Sequence, residues 1–253
     1  MSSSVPLTSA TAPGVPVRGA DLLARDRRTG DLLRFAWHGP ESYAAPERIG
    51  AGFGVDTVPV LGAGQGISGI TLWYAGASGL PVGVPGRPFF DAASCLTEPP
   101  GSGFGVIVAT PDGTLLTQRP GATTIEDRPA VPGAPGVTVA TVPRGTVLVG
   151  AGNVTTGRRH DIVVQGPDGR LAVLERSGGA GQWYRFTAEL PGLRGIRLVD
   201  TSGDGLAGCA GVVPDGTLVV YPHSGVFWPQ DPDTVLLSPV ALAGGWHDLD
   251  ILQ

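Results

Sequence analysis

Three stretches of the 253-residue sequence share one pattern: GVIVATPDGTLLTQ at 105–118, DIVVQGPDGRLAVLE at 161–175 and GCAGVVPDGTLVVY at 208–221. In each, two apolar runs of strand length flank a Pro-Asp-Gly turn. Asp-Gly between two such runs is a strong short-range signal for a β-hairpin. Two weaker copies, DLLARDRRTGDLLRF at 21–35 and GITLWYAGASGLPVGV at 69–84, keep only the turn glycine. The sequence therefore predicts five hairpins.

The turn glycines of these hairpins define a repeat with spacings of 49, 34, 56 and 47 residues; they are Gly30, Gly79, Gly113, Gly169 and Gly216. A period in the forties with about four strands per unit is typical of a β-propeller blade. The 41 Gly and 24 Pro exclude long helices, while 42% apolar residues suffice for a core. We expect an all-β, five-bladed β-propeller formed by residues 17–253 as a single domain, with residues 1–16 as a flexible leader.

The two chain ends predict how this propeller closes. A strand-like segment precedes the second, fourth and fifth hairpins, but only APGVPVRG precedes the first. The last residues, GGWHDLDILQ at 244–253, match the pattern of GAGFGVDTVPVLG at 50–62 and have no hairpin after them. We therefore predict that residues 246–252 form the inner strand of the first blade. Closure of this kind removes the exposed edges of an open β-array.

The loop before the fifth hairpin resembles a known repeat. It reads Asp200-Thr-Ser202-Gly-Asp204-Gly and leads into an apolar strand and an Asp-Gly turn, while Asp21 and Asp161 stand where the equivalent strand begins in other copies. In this pattern the chain is similar to the FG-GAP and VCBS-repeat family of propellers. The resemblance implies a propeller fold with acidic loops that commonly hold Ca²⁺.

Asp200, Ser202 and Asp204 are the candidate metal ligands that this resemblance implies. A calcium site needs six or more oxygens, and the position of the usual last carboxylate is occupied by Gly208. The other four loops have lost carboxylates as well. We therefore expect no cofactor and a function that does not depend on metal, with a hydrogen-bonded Asx turn at Asp200 as the alternative to a structural Ca²⁺.

Ionisable residues on the predicted inner strands are the candidate catalytic groups. His247 and Asp248 begin the last strand, and Asp56 and Arg197 occupy the same strand in the second and fifth blades. Because inner strands line the central channel, these four residues could form a general acid–base site. The alternative is a set of structural salt bridges between blades. The sequence has no zinc spacing among its histidines, no nucleophile elbow and no phosphate loop.

Four tryptophans are the candidate ligand contacts. Trp37, Trp183 and Trp228 lie in polar connections rich in Gly or Pro, where an indole ring can stack on a sugar, and Trp246 is next to His247. The alternative is that these rings fill the space between blades.

Composition excludes several partners. The net charge is −5, all 17 basic residues are Arg, and no basic cluster indicates nucleic acid. No run approaches the ~20 apolar residues of a membrane span. Cys95 and Cys209 are expected to be buried thiols. Without a signal-peptide pattern, and if Met1 is the native start, we expect a cytoplasmic monomer.

Three functions remain open. A lectin-like propeller should keep the same aromatic residues in every blade, whereas these repeats have diverged. Divergence favours one specialised small-molecule pocket, and we expect a cofactor-independent cyclase, isomerase or lyase. The Arg-only composition is typical of GC-rich genomes such as those of actinomycetes, which makes a bacterial natural-product pathway a plausible setting. A protein-interaction scaffold is the third possibility.

Overall fold

The computed structural model describes residues 21–39, 42–54, 57, 59–63, 70–77, 80–85, 89–97, 105–157, 159–176, 181–190 and 192–252. Short strands dominate this part of the chain, with one short α-helix and two 3₁₀ helices, Pro232–Val235 and Trp246–Asp248. None of the helices among these residues has the length or apolar content that crossing a bilayer requires.

The strands follow one another closely, because turn-forming residues interrupt every apolar run. They are β1 (Leu22–Asp26), β2 (Leu32–Phe35), β3 (Trp37–Gly39), β4 (Ser42–Tyr43), β5 (Glu47–Ala51), β6 (Val60–Ala63), β7 (Ile70–Ala75), β8 (Pro81–Pro85), β9 (Phe90–Asp91), β10 (Val106–Ala109), β11 (Thr114–Gln118), β12 (Thr124–Pro129), β13 (Val137–Thr141), β14 (Val147–Gly152), β15 (Asp161–Gln165), β16 (Arg170–Glu175), β17 (Gln182–Glu189), β18 (Arg194–Val199), β19 (Gly208–Val212), β20 (Leu218–Tyr221), β21 (Val240–Ala243) and β22 (Leu249–Ile251), with α1 (Ala92–Cys95) between β9 and β10.

Most of these strands belong to five sheets. Sheet 1 has the order β22-β1-β2-β5-β9, sheet 2 is β6-β7-β8, and sheets 3, 4 and 5 are the four-stranded meanders β10–β13, β14–β17 and β18–β21. β3 and β4 form a separate ribbon. The first strands of successive sheets contact one another, from β6 to β10, β14, β18 and β22. The molecule is therefore all-β, with a propeller-like arrangement of its sheets.

The core is divided into clusters that each combine residues of two neighbouring sheets. Apolar residues on both faces of a sheet are buried in this arrangement, and their removal from water drives the packing. Representative members are Leu23 and Leu72 between sheets 1 and 2, Trp73 and Leu115 between 2 and 3, Leu116 and Ile162 between 3 and 4, Val173 and Ile196 between 4 and 5, and Leu22 and Val220 between 5 and 1.

The five predicted hairpins are present as antiparallel pairs, but one of them occupies a different place in its sheet. The hairpin at Gly113 joins β10 and β11, the first and second strands of sheet 3, whereas the others join the second and third strands. The equivalent turn of sheet 3 lies at Gly121, where φ is 69°. Counted from Gly121, the spacings become 49, 42, 48 and 47 residues. The spacings in the sequence are uneven because the Gly113 hairpin joins the first two strands of its sheet, while the other four hairpins join the second and third.

The C-terminal segment has the predicted partner and a shorter strand. β22 pairs antiparallel with β1 as the first strand of sheet 1. The expectation that the strand spans residues 246–252 is wrong, because Trp246–Asp248 forms a 3₁₀ helix. This turn lets the backbone N–H of Trp246 donate to the carbonyl of Gly216 at 2.8 Å. His247 and Asp248 therefore precede the strand and are not part of it.

Candidate functional site

Of the four predicted catalytic residues, the structure places His247, Asp248 and Arg197 near the junction of sheets 1 and 5; Asp56 lies outside the described residues. Arg197 is on β18, where its Nε donates to the carbonyl of Leu252 at 3.3 Å and its Nη1 to that of Ile196 at 2.8 Å. Burial lowers the pKa of the Arg197 guanidinium, and the nearby charge of Asp250 opposes that effect.

Asp250 is the residue around which the charges gather. Its Oδ2 lies 2.8 Å from Nη2 of Arg25, and its Oδ1 lies 3.7 Å from Nε of Arg27 and 3.6 Å from Nη1 of Arg194. These four residues are the arginine cluster. They come from β1, the turn after it, β18 and β22, so the junction of sheets 1 and 5 creates the cluster.

The arginine cluster also holds the 3₁₀ helix at Trp246–Asp248 in place. Nη2 of Arg27 and Nη2 of Arg194 both donate to the carbonyl oxygen of His247, the latter at 3.0 Å. Arg194 donates as well to the carbonyl of Trp246 at 2.9 Å. Carbonyl groups at the end of a helix carry partial negative charge and attract cations. Two guanidinium groups are thereby brought together beside His247.

The side chains of His247 and Asp248 are both exposed to solvent. The imidazole of His247 lies over the turn of the fifth hairpin, where a Cβ atom on Gly216 would come within 2.6 Å of ring atoms. The pKa of the neighbouring Asp215 carboxyl is lowered, mainly because the backbone N–H of Thr217 donates a hydrogen bond to it. The charge of His247 makes a smaller contribution in the same direction. His247 is therefore available to a ligand while its ring rests on a glycine turn.

The candidate metal loop is held by its own backbone. Asp200 accepts hydrogen bonds from the N–H groups of Gly203 at 2.7 Å and Gly205 at 2.9 Å, and Asp204 accepts one from Leu206 at 2.9 Å. This is the Asx-turn geometry that the sequence leaves open. Within the described ranges, no three His, Cys, Asp or Glu side chains, and hence no set around Asp200, are grouped as metal ligands. Ser202 is half-buried in the same loop.

The four candidate tryptophans have different environments. The indole N–H of Trp37 donates to the carbonyl of Thr201 at 2.9 Å, and its ring lies against the acidic loop. Trp246 is buried in the core, where its ring centroid is 4.8 Å from that of Phe35. Trp183 and Trp228 are 39% and 53% exposed. Of the four rings, these last two present most surface to a ligand.

A second buried polar network, which the sequence did not indicate, lies in sheet 4 next to sheet 5. Asp161 accepts from the N–H groups of Val154 and Thr155 at 2.9 and 2.7 Å and from the Thr155 hydroxyl at 3.0 Å. His223 accepts the N–H of Gly225 on Nδ1, so its Nε2 donates to the carbonyl of Val154 at 2.9 Å. Burial raises the pKa of the Asp161 carboxyl. The hydrogen bonds to the carboxylate lower it, but by less than burial raises it. The network fixes the loop between β14 and β15.

Cysteine chemistry plays no part in the site. Cys95 and Cys209 are both buried and unpaired. Burial raises the pKa of the Cys209 thiol to about 12, which keeps it protonated. Both residues fill apolar clusters, as expected.

Comparison of the chain with protein-family models, with curated proteins and with solved structures found no match. The resemblance to FG-GAP and VCBS repeats therefore remains a prediction from the residues that carry it.

The four members of the arginine cluster are not among the site residues that the sequence predicts. Arg25 and Arg27 belong to a short basic run that has the pattern of a solvated turn, and Arg194 is separated from Arg197 by a bulge in β18. Asp250 stands three residues after His247 in the sequence. Its arginine partners lie on β1, in the turn after it and on β18, and only the pairing of distant strands brings them to it. The predicted pairing of the last strand with β1 points to Arg25 and Arg27, whereas Arg194 lies on β18 of the neighbouring sheet and has no such signal.

Proposed function

We propose that sheets 1–5 are the five blades of a closed propeller and that β22 is the inner strand of the first blade. Three observations support this proposal. β22 pairs with β1, the first strands of successive sheets are in contact, and a cluster of the core lies between each pair of neighbouring sheets, including 5 and 1.

We infer that the protein binds one small molecule at the junction of the first and fifth blades. The observation that carries this inference is the convergence of Arg25, Arg27 and Arg194 on Asp250 beside the exposed His247. In the part of the chain that the structure describes, no other carboxylate pairs with three arginines. A feature present at one junction and not repeated in each blade supports a single specialised pocket.

Acid–base chemistry is the reaction class we propose for this pocket: cyclisation, isomerisation or elimination. His247 would transfer the proton, since histidine is the side chain most used as a general acid and base near neutral pH. The guanidinium groups beside it would orient the substrate and stabilise negative charge that develops on it. Asp250 would hold those groups in position.

Equilibrium dialysis of the full chain against bacterial metabolite extract, followed by mass spectrometry, tests the single pocket. Wild-type protein should retain a compound that His247→Gln retains at least about tenfold less, the usual loss when a hydrogen bond to a charged group is removed. The matched control is His38→Gln, an exposed histidine on β3.

A carbohydrate-binding function is the second candidate, because Trp183 and Trp228 are exposed. A glycan array with the wild type and the Trp183→Ala/Trp228→Ala double variant distinguishes the two. Sugar binding that the double variant loses, together with unchanged retention in His247→Gln, would replace the acid–base proposal with the lectin.

A further inference from the structure

We propose that the arginine cluster receives an oxyanion, the carboxylate or phosphate group of the ligand, between Arg27 and Arg194. This inference rests on the proposed function, because it names the chemical class of the compound that the pocket takes. It depends on three features of the cluster. Two guanidinium groups converge, one of their N–H donors has no acceptor, and a single carboxylate faces three arginines.

Arg27 and Arg194 converge although they come from different blades. Both donate to the carbonyl oxygen of His247, and each side chain is 39% exposed. Nε of Arg27 and Nη1 of Arg194 also lie near the same oxygen, Oδ1 of Asp250, at 3.7 and 3.6 Å. The planar guanidinium fork matches the spacing of oxygen atoms in carboxylate and phosphate groups.

Arg194 has a donor that the described residues leave without an acceptor. Its Nη1 is buried, makes no hydrogen bond, and lies 3.6 Å from Oδ1 of Asp250, beyond hydrogen-bond distance. A buried donor without an acceptor is unfavourable. Because the Arg194 side chain is 39% exposed, a small rotation would let this group donate to an oxyanion instead.

The charge of the cluster favours a second anion. Asp250 is hydrogen-bonded to Arg25 at 2.8 Å. Its single negative charge therefore has to balance three guanidinium groups, those of Arg25, Arg27 and Arg194. Among the described residues, Asp250 is the only carboxylate within 4.0 Å of either Arg27 or Arg194. Like charges held close together repel, and an anion between them relieves that repulsion. With three arginines and one aspartate, the cluster has a formal charge of +2, although the whole chain carries a net charge of −5.

Isothermal titration of the full chain with inorganic phosphate and with sodium acetate, each against sodium chloride at equal ionic strength, tests the proposal. Wild type should bind one of the two oxyanions, and Arg27→Gln and Arg194→Gln should each weaken that binding about tenfold, the usual loss for a charged hydrogen bond. Arg48→Gln is the matched control, because Arg48 is 40% exposed and pairs with a single carboxylate, Asp31, at 2.7 Å. It should bind like the wild type.

The two probes also separate the sources of the anion. Stronger binding of phosphate indicates a phosphate ester, and stronger binding of acetate indicates a carboxylic acid. Circular dichroism melting of both variants confirms that they are folded, and Arg27 and Arg194 give two independent readings. No binding beyond chloride, or equal loss in Arg48→Gln, overturns the proposal. A metabolite whose retention needs His247 but neither arginine would overturn the anion and leave the proposed pocket standing.

Discussion

Arg25 on β1 and Asp250 on β22 lie 225 residues apart in the chain and are joined by an ion pair of 2.8 Å. The pair links the first and last described strands at the place where the candidate site forms. Arg25 is nearly buried, with 5% of its side chain exposed, and it also donates to the carbonyls of Gly54 and Thr57. One residue thus connects β22, sheet 1 and the segment that leads to sheet 2.

Replacing Arg25 by Gln should lower the free energy of unfolding by about 3 kcal/mol, because it removes the arginine that is hydrogen-bonded to Asp250 and leaves two carbonyls without their donor. Urea denaturation measures the loss. The control is Arg185→Gln, which removes an exposed pair with Asp168 and should cost less than about 1 kcal/mol. Equal losses in the two variants would contradict a role for Arg25 in joining the chain ends.

Gly216→Ala should be more destabilising than Gly113→Ala, although both glycines occupy Pro-Asp-Gly turns with φ of 81° and 78°. Each variant strains the left-handed turn by about 1–2 kcal/mol. At Gly216 the new methyl group also meets the ring of His247, an exposed side chain that must turn aside and lose its contact with the turn, whereas at Gly113 it meets nothing within 4 Å. Denaturation of both variants gives the difference.

The control for this comparison is the double variant Gly216→Ala/His247→Ala. With His247→Ala as the reference, adding Gly216→Ala should cost no more than Gly113→Ala costs the wild type. An extra loss that persists without the imidazole would show that His247 does not lie over this turn.

Asp161 should make stability depend on pH. Burial raises the pKa of its carboxyl in the folded protein above the ordinary value of 3.8, so the folded state holds the proton more tightly than the unfolded state. The contribution of Asp161 to the free energy of unfolding therefore falls as the pH rises from 3.8 through the pKa of the folded state. The unfolding free energy of the wild type minus that of Asp161→Asn, measured between pH 3.5 and 7, should decrease and then level off. A difference that grows with pH would contradict the assignment.

Removing divalent metal should leave the protein unchanged. The backbone N–H groups of Gly203 and Gly205 already satisfy the carboxylate of Asp200. Thermal melting in EDTA should differ from melting in Ca²⁺ by less than about 2 °C, the lower end of the shift that a 1 kcal/mol change gives in a protein of this size. Asp200→Ala should lower the melting temperature equally in both buffers. A fall in EDTA that Ca²⁺ reverses would show a metal site.

The sequence predicts the fold well where the signal is local. Pro-Asp-Gly between apolar runs identifies hairpins at Gly113, Gly169 and Gly216. A hairpin signal does not say which strands of a sheet it joins, and so the placement of Gly113 was wrong by one strand. The 3₁₀ helix at Trp246–Asp248 was also missed, because its hydrogen bond to Gly216 is long-range.

The site was predicted in outline only. Arg197 and His247 were named from their place in the repeat, and the structure puts both near the junction of sheets 1 and 5. Asp250, Arg27 and Arg194 gain their meaning from ion pairs between distant strands, which no local pattern reveals.

Native mass spectrometry of the protein after dialysis against metabolite extract tests the central claim most directly, because it counts the bound molecules. A single specialised pocket predicts one retained compound per chain. Each of the single variants His247→Gln and Arg194→Gln should lose that compound, and the Trp183→Ala/Trp228→Ala double variant should keep it. Several bound copies per chain, or retention that depends on Trp183 and Trp228 and not on His247, would contradict it.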